Sequence, residues 1–181
     1  GEVELNESIT AGTDIGLGAA TDVQLGSDVT LTAGGTVTLD AVDGRFGLTV
    51  DASTIDFEAA VGQNDAPTAV TLVSVNDLVL DQAITPTGLV SATTTTGLIN
   101  QSSTVTADTV TVNSASGITG TGTIRADSDV SLEAAEGISW TAGSITGGST
   151  VSVISGGEDT EDIALVALSG GDVVIDAGAL G

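Results

Sequence analysis

Cysteine and histidine are absent from this chain of 181 residues, and its only basic residues are Arg45 and Arg125. Without cysteine there are no disulfides and no thiolate metal sites. Without histidine, and with Lys+Arg 2 against Asp+Glu 25, any proton transfer would fall to carboxylates alone. A formal net charge of −23 repels phosphate backbones and anionic lipid, so nucleic acid and membrane surfaces are poor partners, whereas divalent cations are favoured. No apolar run approaches the length of a membrane span, the longest being Ile163-Ala164-Leu165-Val166-Ala167-Leu168, so no membrane insertion is expected. No basic, apolar leader opens the sequence, and a secreted form is therefore expected to be a processed or excised piece. Aromatic residues make up 2% of the chain and charged residues 15%, the latter well under the about 25% of ordinary globular domains.

What is abundant is small and β-branched. Hydrophobic residues reach 40% and mean hydropathy is +0.38, enough apolar surface to fold a core despite the charge. These residues recur in a phrase: Asp108-Thr109-Val110-Thr111-Val112, then Asp129-Val130-Ser131-Leu132, then Thr150-Val151-Ser152-Val153, then Asp172-Val173-Val174-Ile175. The leading valines Val110, Val130, Val151 and Val173 lie 20, 21 and 22 residues apart. A period near 20 with three short apolar clusters in each repeat predicts a parallel β-solenoid, each period winding once around a shared core.

Within a period the alternation of a half-buried strand sets what points in. Val110 and Val112, like Val130 and Leu132, face the core, and the hydroxyl residue between them faces out. A second side holds Ile118 in one coil and Ile138 with Trp140 in the next. A third holds Val105, Ile124 and Ile145, and three sides per turn imply a triangular prism. The frame extends backwards through Leu89 and Val90, Leu98, Val70 and Leu72, Leu78 and Leu80, and Ile84. Before these come Leu48 and Val50, Ile55 and Phe57, Val61, Val29 and Leu31, Val37 and Leu39, and Val42, with Val3, Leu5, Ile9, Ile15 and Leu17 in the first coil. The whole chain, 1–181, is then one solenoid domain of about eight coils. Glycine, serine, threonine, aspartate and asparagine fill the corners because they turn the chain cheaply. Glu133-Ala134-Ala135-Glu136 is read as such a corner, not a helix.

The residues also carry a resemblance. Gly47-Leu48-Thr49-Val50-Asp51-Ala52, Ile55-Asp56-Phe57-Glu58-Ala59-Ala60-Val61-Gly62, Leu78-Val79-Leu80, Ser128-Asp129-Val130-Ser131-Leu132-Glu133-Ala134 and Gly171-Asp172-Val173-Val174-Ile175-Asp176-Ala177 resemble the repeats of filamentous-haemagglutinin-like bacterial surface proteins. The resemblance implies a right-handed parallel β-helix and a role as a secreted stalk or fibre in adhesion and biofilm. It thus places the chain outside the cell, with a host or matrix surface as partner. Asn64-Asp65-Ala66-Pro67-Thr68 looks like the opening of a cadherin-like adhesin module, but the repeat running through residues 66–86 does not fit an antiparallel sandwich.

Chemistry-bearing groups are few. Carboxylates cluster at Asp40 and Asp43, at Asp51, Asp56 and Glu58, and at Glu158, Asp159, Glu161 and Asp162, and the expectation for all three is solvated corner charge. The last cluster is the candidate calcium site, because hard cations gather several oxygen ligands; it lacks the spacing of an EF-hand or a calcium-binding β-roll. No other cofactor is expected. Arg45 and Arg125 are expected to neutralise aspartates on adjacent coils, and Trp140 to pack inward. Two other roles compete: an ice-binding solenoid using an outward column of Thr30, Thr71, Ser91, Thr111, Ser131 and Ser152, and a polysaccharide-active β-helix enzyme. The first requires a flat, regular threonine face and the second requires convergent carboxylates beside an arginine. A solenoid also has open ends, so either the chain belongs to a longer solenoid or identical subunits stack end to end. Both readings make it a structural, non-catalytic protein.

Overall fold

In the computed structural model, which describes residues 1–18, 22–156 and 163–177, the chain winds through about eight stacked coils of parallel strands, with no helix among the described residues. Coils 1 to 7 span residues 2–17, 22–39, 42–57, 61–80, 84–101, 104–120 and 123–140, coil 8 is described at 144–155 and 163–165, and residues 168–176 begin another. Every strand pairs in parallel with its counterpart one coil away, which produces three ladders.

The first ladder stacks Glu2–Leu5, Asp22–Leu25 and Val42–Asp43. It narrows to single-residue bridges at Val61 and Ile84, then widens again through Thr104–Ala107, Thr123–Ala126, Ser144–Gly147 and Leu168–Ser169. The second ladder is the longest, running in register from Ile9–Ala11 to Asp172–Asp176. The third holds Ile15–Leu17 and, farther on, Leu78–Leu80, Ile99–Gln101, Ile118–Gly120, Ile138–Trp140 and Ile163–Leu165. In coils 2 and 3 the second and third strands merge into 11-residue strands, Val29–Leu39 and Gly47–Phe57.

Register turns a sequence period into columns. Val29, Leu48, Val70, Val90, Val110, Val130 and Val151 stack one above another inside the second ladder, all but inaccessible to solvent. Neighbouring rungs are about 4.8 Å apart, so each methyl group meets its equivalent above and below, and the core is a stack of aliphatic layers. Small branched side chains suit this repeat because every layer must have nearly the same cross-section as the next. The rings fit where the columns permit: Trp140 and Phe57 lie inside the third-ladder strands, whereas Phe46 stands outside at a corner, 40% exposed.

The expected frame holds at nearly every position and fails at two. Leu98 is outward, 36% exposed, and Ile99 takes the core position. Leu89 is likewise 37% exposed, so coil 5 presents Val90 and Ala92 inward instead of Leu89 and Val90. In both cases a leucine sits one residue from a buried aliphatic, and period-two alternation leaves room for only one of them inside. Glu133-Ala134-Ala135-Glu136 is only half a corner, because Glu133 and Ala134 close the strand Val130–Ala134 and Ala134 is buried. Val23 and Leu25, absent from the expected frame, are core residues of the first ladder.

Candidate functional site

The polar groups of this molecule fall into four sets: corner carboxylates, an arginine pair, an inward hydroxyl ladder and an outward hydroxyl column. Corner carboxylates act on the backbone of the next coil. Asp14 Oδ1 accepts from Thr36 N at 2.8 Å, Asp28 Oδ1 from Gly47 N at 2.7 Å, Asp77 Oδ1 from Leu98 N at 2.9 Å and Asp129 Oδ1 from Thr150 N at 3.0 Å. Where the chain turns from one strand to the next, an N–H leaves the ladder, and an aspartate one repeat earlier replaces the lost acceptor. The logic is that of a helix N-cap transposed to a solenoid corner.

Asp43 is the most developed case, and it is buried instead of being the solvated corner charge expected. Its carboxylate is 2% exposed and accepts from Asn64 N at 2.9 Å, Asn64 Nδ2 at 2.8 Å and Asp65 N at 3.2 Å. Three donors replace the water that a buried carboxylate loses. The next residue, Gly44, has φ 117, a conformation that disfavours a Cβ, and its N–H donates to Asp65 O at 2.7 Å. Asn64-Asp65-Ala66-Pro67-Thr68 is thus a loop of coil 4 pinned onto coil 3. Asp40 and Asp43, neighbours in sequence, have different roles: Asp40 Oδ1 accepts from the adjacent Ala41 N. Asp51 and Asp56 point outward from the second and third ladders, and Glu58 lies at the bend beyond, so this cluster does not converge.

The two arginines differ. Arg45 Nε lies 2.7 Å from Asp65 Oδ1 and joins coils 3 and 4, as expected. The hydrogen bond and charge of Asp65 raise the guanidinium's pKa further above its usual value. Arg125 stands on the outer face of the first ladder between Thr106 and Thr146 and makes no ion pair with a described residue, against the expectation that it neutralises stacked aspartates.

Serine and threonine occupy both faces of the sheet. Outside the second ladder, Thr30, Thr49, Thr71, Ser91, Thr111, Ser131 and Ser152 form one continuous column, with Thr49 filling the coil missed in the sequence. The adjoining column reads Thr32, Asp51, Val73, Thr93, Asn113, Glu133 and Ile154. Charged and aliphatic residues interrupt it, so a regular two-hydroxyl array is not built. Inside the bend between the second and third ladders, Ser74, Thr94, Ser114 and Ser155 point into the solenoid and are nearly inaccessible. Ser114 Oγ donates toward the carbonyls of Gly97 and Gly117 at 3.0 Å each, sharing Gly97 with Thr94 Oγ1 at 2.6 Å, and the two hydroxyls lie 3.1 Å apart. These inward hydroxyls were not distinguishable from outward ones in the sequence, although their fixed place at the end of each second-ladder strand is a usable signal.

Trp140 is buried, as expected, with Nε1 donating to Gly122 O at 3.1 Å. Beneath it the third-ladder column contains Gly120 and Gln101. Gln101 is 1% exposed; its Nε2 donates to Ser103 O at 2.6 Å, and its Oε1 has no hydrogen-bond partner among the described residues.

Glu158, Asp159, Glu161 and Asp162, the candidate calcium ligands, lie outside the described residues. Among the described residues no group of three or more acidic side chains is placed to hold a metal ion. No family model, curated protein or solved structure matches this chain.

Proposed function

We propose that this chain is a structural, non-catalytic segment of an extracellular bacterial fibre or adhesin stalk. The observation that supports this most is the use made of its carboxylates. Asp14, Asp28, Asp43, Asp77 and Asp129 each hold the backbone of the following coil, and among the described residues no three acidic side chains gather at one point to hold a metal ion. A catalytic site needs titratable groups directed at a shared point, whereas a strut needs them distributed along its length. Two further features agree with a strut: the core is continuous from Leu5 to Val153, and the acidic surface opposes non-specific association with other polyanions. Its natural contacts are further coils at its ends, whether of a longer chain or of an identical subunit, and a host or matrix surface reached by the fibre.

Immunogold electron microscopy on intact cells of the producing organism, with antibodies raised against the purified chain, tests the reading. Labelling along filaments outside unpermeabilised cells is the expected result. Labelling that appears only after the cells are opened would overturn it.

A further inference from the structure

We propose that the junction between coils 3 and 4 is a built-in hinge, the interior point at which adjacent coils separate first, and that the Asp43 carboxylate is its latch. This inference does not depend on the role proposed above.

At this junction two of the three ladders are reduced. In the first ladder the coils are joined by the single bridge Val42 to Val61, supported by Val42 N donating to Ala60 O at 3.3 Å and Gly62 N to Val42 O at 2.7 Å. In the third ladder the pairing stops. Ile55 and Phe57 pair with Val37 and Leu39 in coil 2, but Leu78–Leu80 pairs only with Ile99–Gln101 in coil 5. The cause lies in the sequence. Coil 3 passes from the second ladder to the third through Ser53 within one strand, whereas coil 4 interposes Val75-Asn76-Asp77. The two third-ladder strands consequently start out of step: Val75 N and Asn76 N still donate to Ala52 O and Ser53 O at 3.1 Å each, and beyond them Asn76 Nδ2 to Thr54 Oγ1 at 3.5 Å is a side-chain contact to coil 3. Only the second ladder crosses intact, Gly47–Ala52 against Ala69–Ser74. By contrast, coils 6 and 7 are joined by all three ladders.

Missing backbone pairing lowers the free energy of local opening, and opening concentrates where ladder hydrogen bonds are fewest. The loop of coil 4 supplies what the ladders do not. Asn64 and Asp65 reach down to the Asp43 carboxylate, Asp65 O accepts from Gly44 N, and Asp65 pairs with Arg45. Of these contacts, the Asp43 carboxylate is the buried one, so its removal leaves two backbone N–H groups of the loop without their acceptor.

The absence of native cysteine permits a direct test. Ala52 and Ala134 occupy the same inward column, one beside the junction and one far from it, and each is 2% exposed. Single Ala52→Cys and Ala134→Cys variants, with Ala92→Cys as a central reference, are labelled with a thiol-reactive dye under native conditions. The hinge predicts that the thiol at 52 reacts at least about tenfold faster than those at 92 and 134. It further predicts that Asp43→Ala, which removes the acceptor of both backbone N–H groups, accelerates labelling at 52 and leaves 134 unchanged. Equal rates at all three positions would overturn the hinge. Asp43→Ala that changes neither rate, or raises both alike, would overturn the latch.

Discussion

Gly120 and Trp140 are register partners on successive coils, and the indole of Trp140 fills the space that a Cβ on residue 120 would occupy. The largest side chain of the core is thus admitted by the absence of a side chain one rung away. A solenoid layer has a fixed cross-section, so a ring can enter only where its neighbour in the column gives up volume.

Gly120→Ala should therefore destabilise the protein by about 1–3 kcal/mol through overpacking. The clash is with a rigid ring, so Trp140→Leu in the same chain should recover much of the loss, although Trp140→Leu alone costs stability. Thermal unfolding of the two single variants and the double variant checks this; additivity of the two losses would contradict the proposed complementarity.

Corner clasps should each contribute measurably and separately. Asp28→Ala, Asp77→Ala and Asp129→Ala each remove one acceptor from a backbone N–H of the following coil, at an expected cost of about 1 kcal/mol apiece. Because the sites lie coils apart, the losses should add in the triple variant. Urea denaturation at fixed pH measures each. A triple variant as stable as the parent would reduce the clasps to surface ornament.

Inward hydroxyls should be sensitive where outward ones are not. Ser114→Ala removes the hydroxyl that donates toward the carbonyls of Gly97 and Gly117, which keep Thr94 Oγ1 and Ile99 N as donors, and should cost about 1 kcal/mol. Thr111→Val, three residues earlier on the outer face, should change stability by no more than about 0.5 kcal/mol. Comparison of the two unfolding midpoints tests the assignment of the inner column.

Arg45→Ala should have a small effect that disappears in high salt, because its pair with Asp65 is exposed and hence screened. Melting temperatures of parent and variant should converge as sodium chloride is raised. A difference that persists at high salt would mean that the guanidinium does more than pair.

The architecture was legible in the sequence because one physical rule repeats. A buried column demands an aliphatic residue at each period, and Val110, Val130 and Val151 announce it. The same rule explains the errors at Leu89 and Leu98, where two adjacent apolar residues compete for one inward place and composition alone cannot choose. The neighbours decide: Asp77 binds the N–H of Leu98, and Ile99 stacks between Leu78 and Ile118. The polar site was less legible. The sequence suggests solvated corner charge at Asp40 and Asp43, but Asp43 is buried and its partners are a full coil away at Asn64 and Asp65. Likewise Ser114 and Ser131 look alike in the sequence, and only the position of the bend sends one in and the other out. In a solenoid the nearest neighbours of a side chain lie about one repeat away, so clusters read along the chain say little about clusters in space.

The central claim is a rigid stack of parallel coils in register, and the outward column of the second ladder gives a ruler for it. With Thr30→Cys as the fixed position and Thr111→Cys, Ser131→Cys or Ser152→Cys as the second, pulsed electron–electron resonance between spin labels measures the span. With the junction between coils 3 and 4 latched by Asp43, the distances should be narrow and increase by about 4.8 Å with each further coil, placing the label at 152 about 29 Å from that at 30. Broad distributions, or distances that do not increase step by step along the column, would contradict the stacked-coil structure and the rigid-segment role built on it.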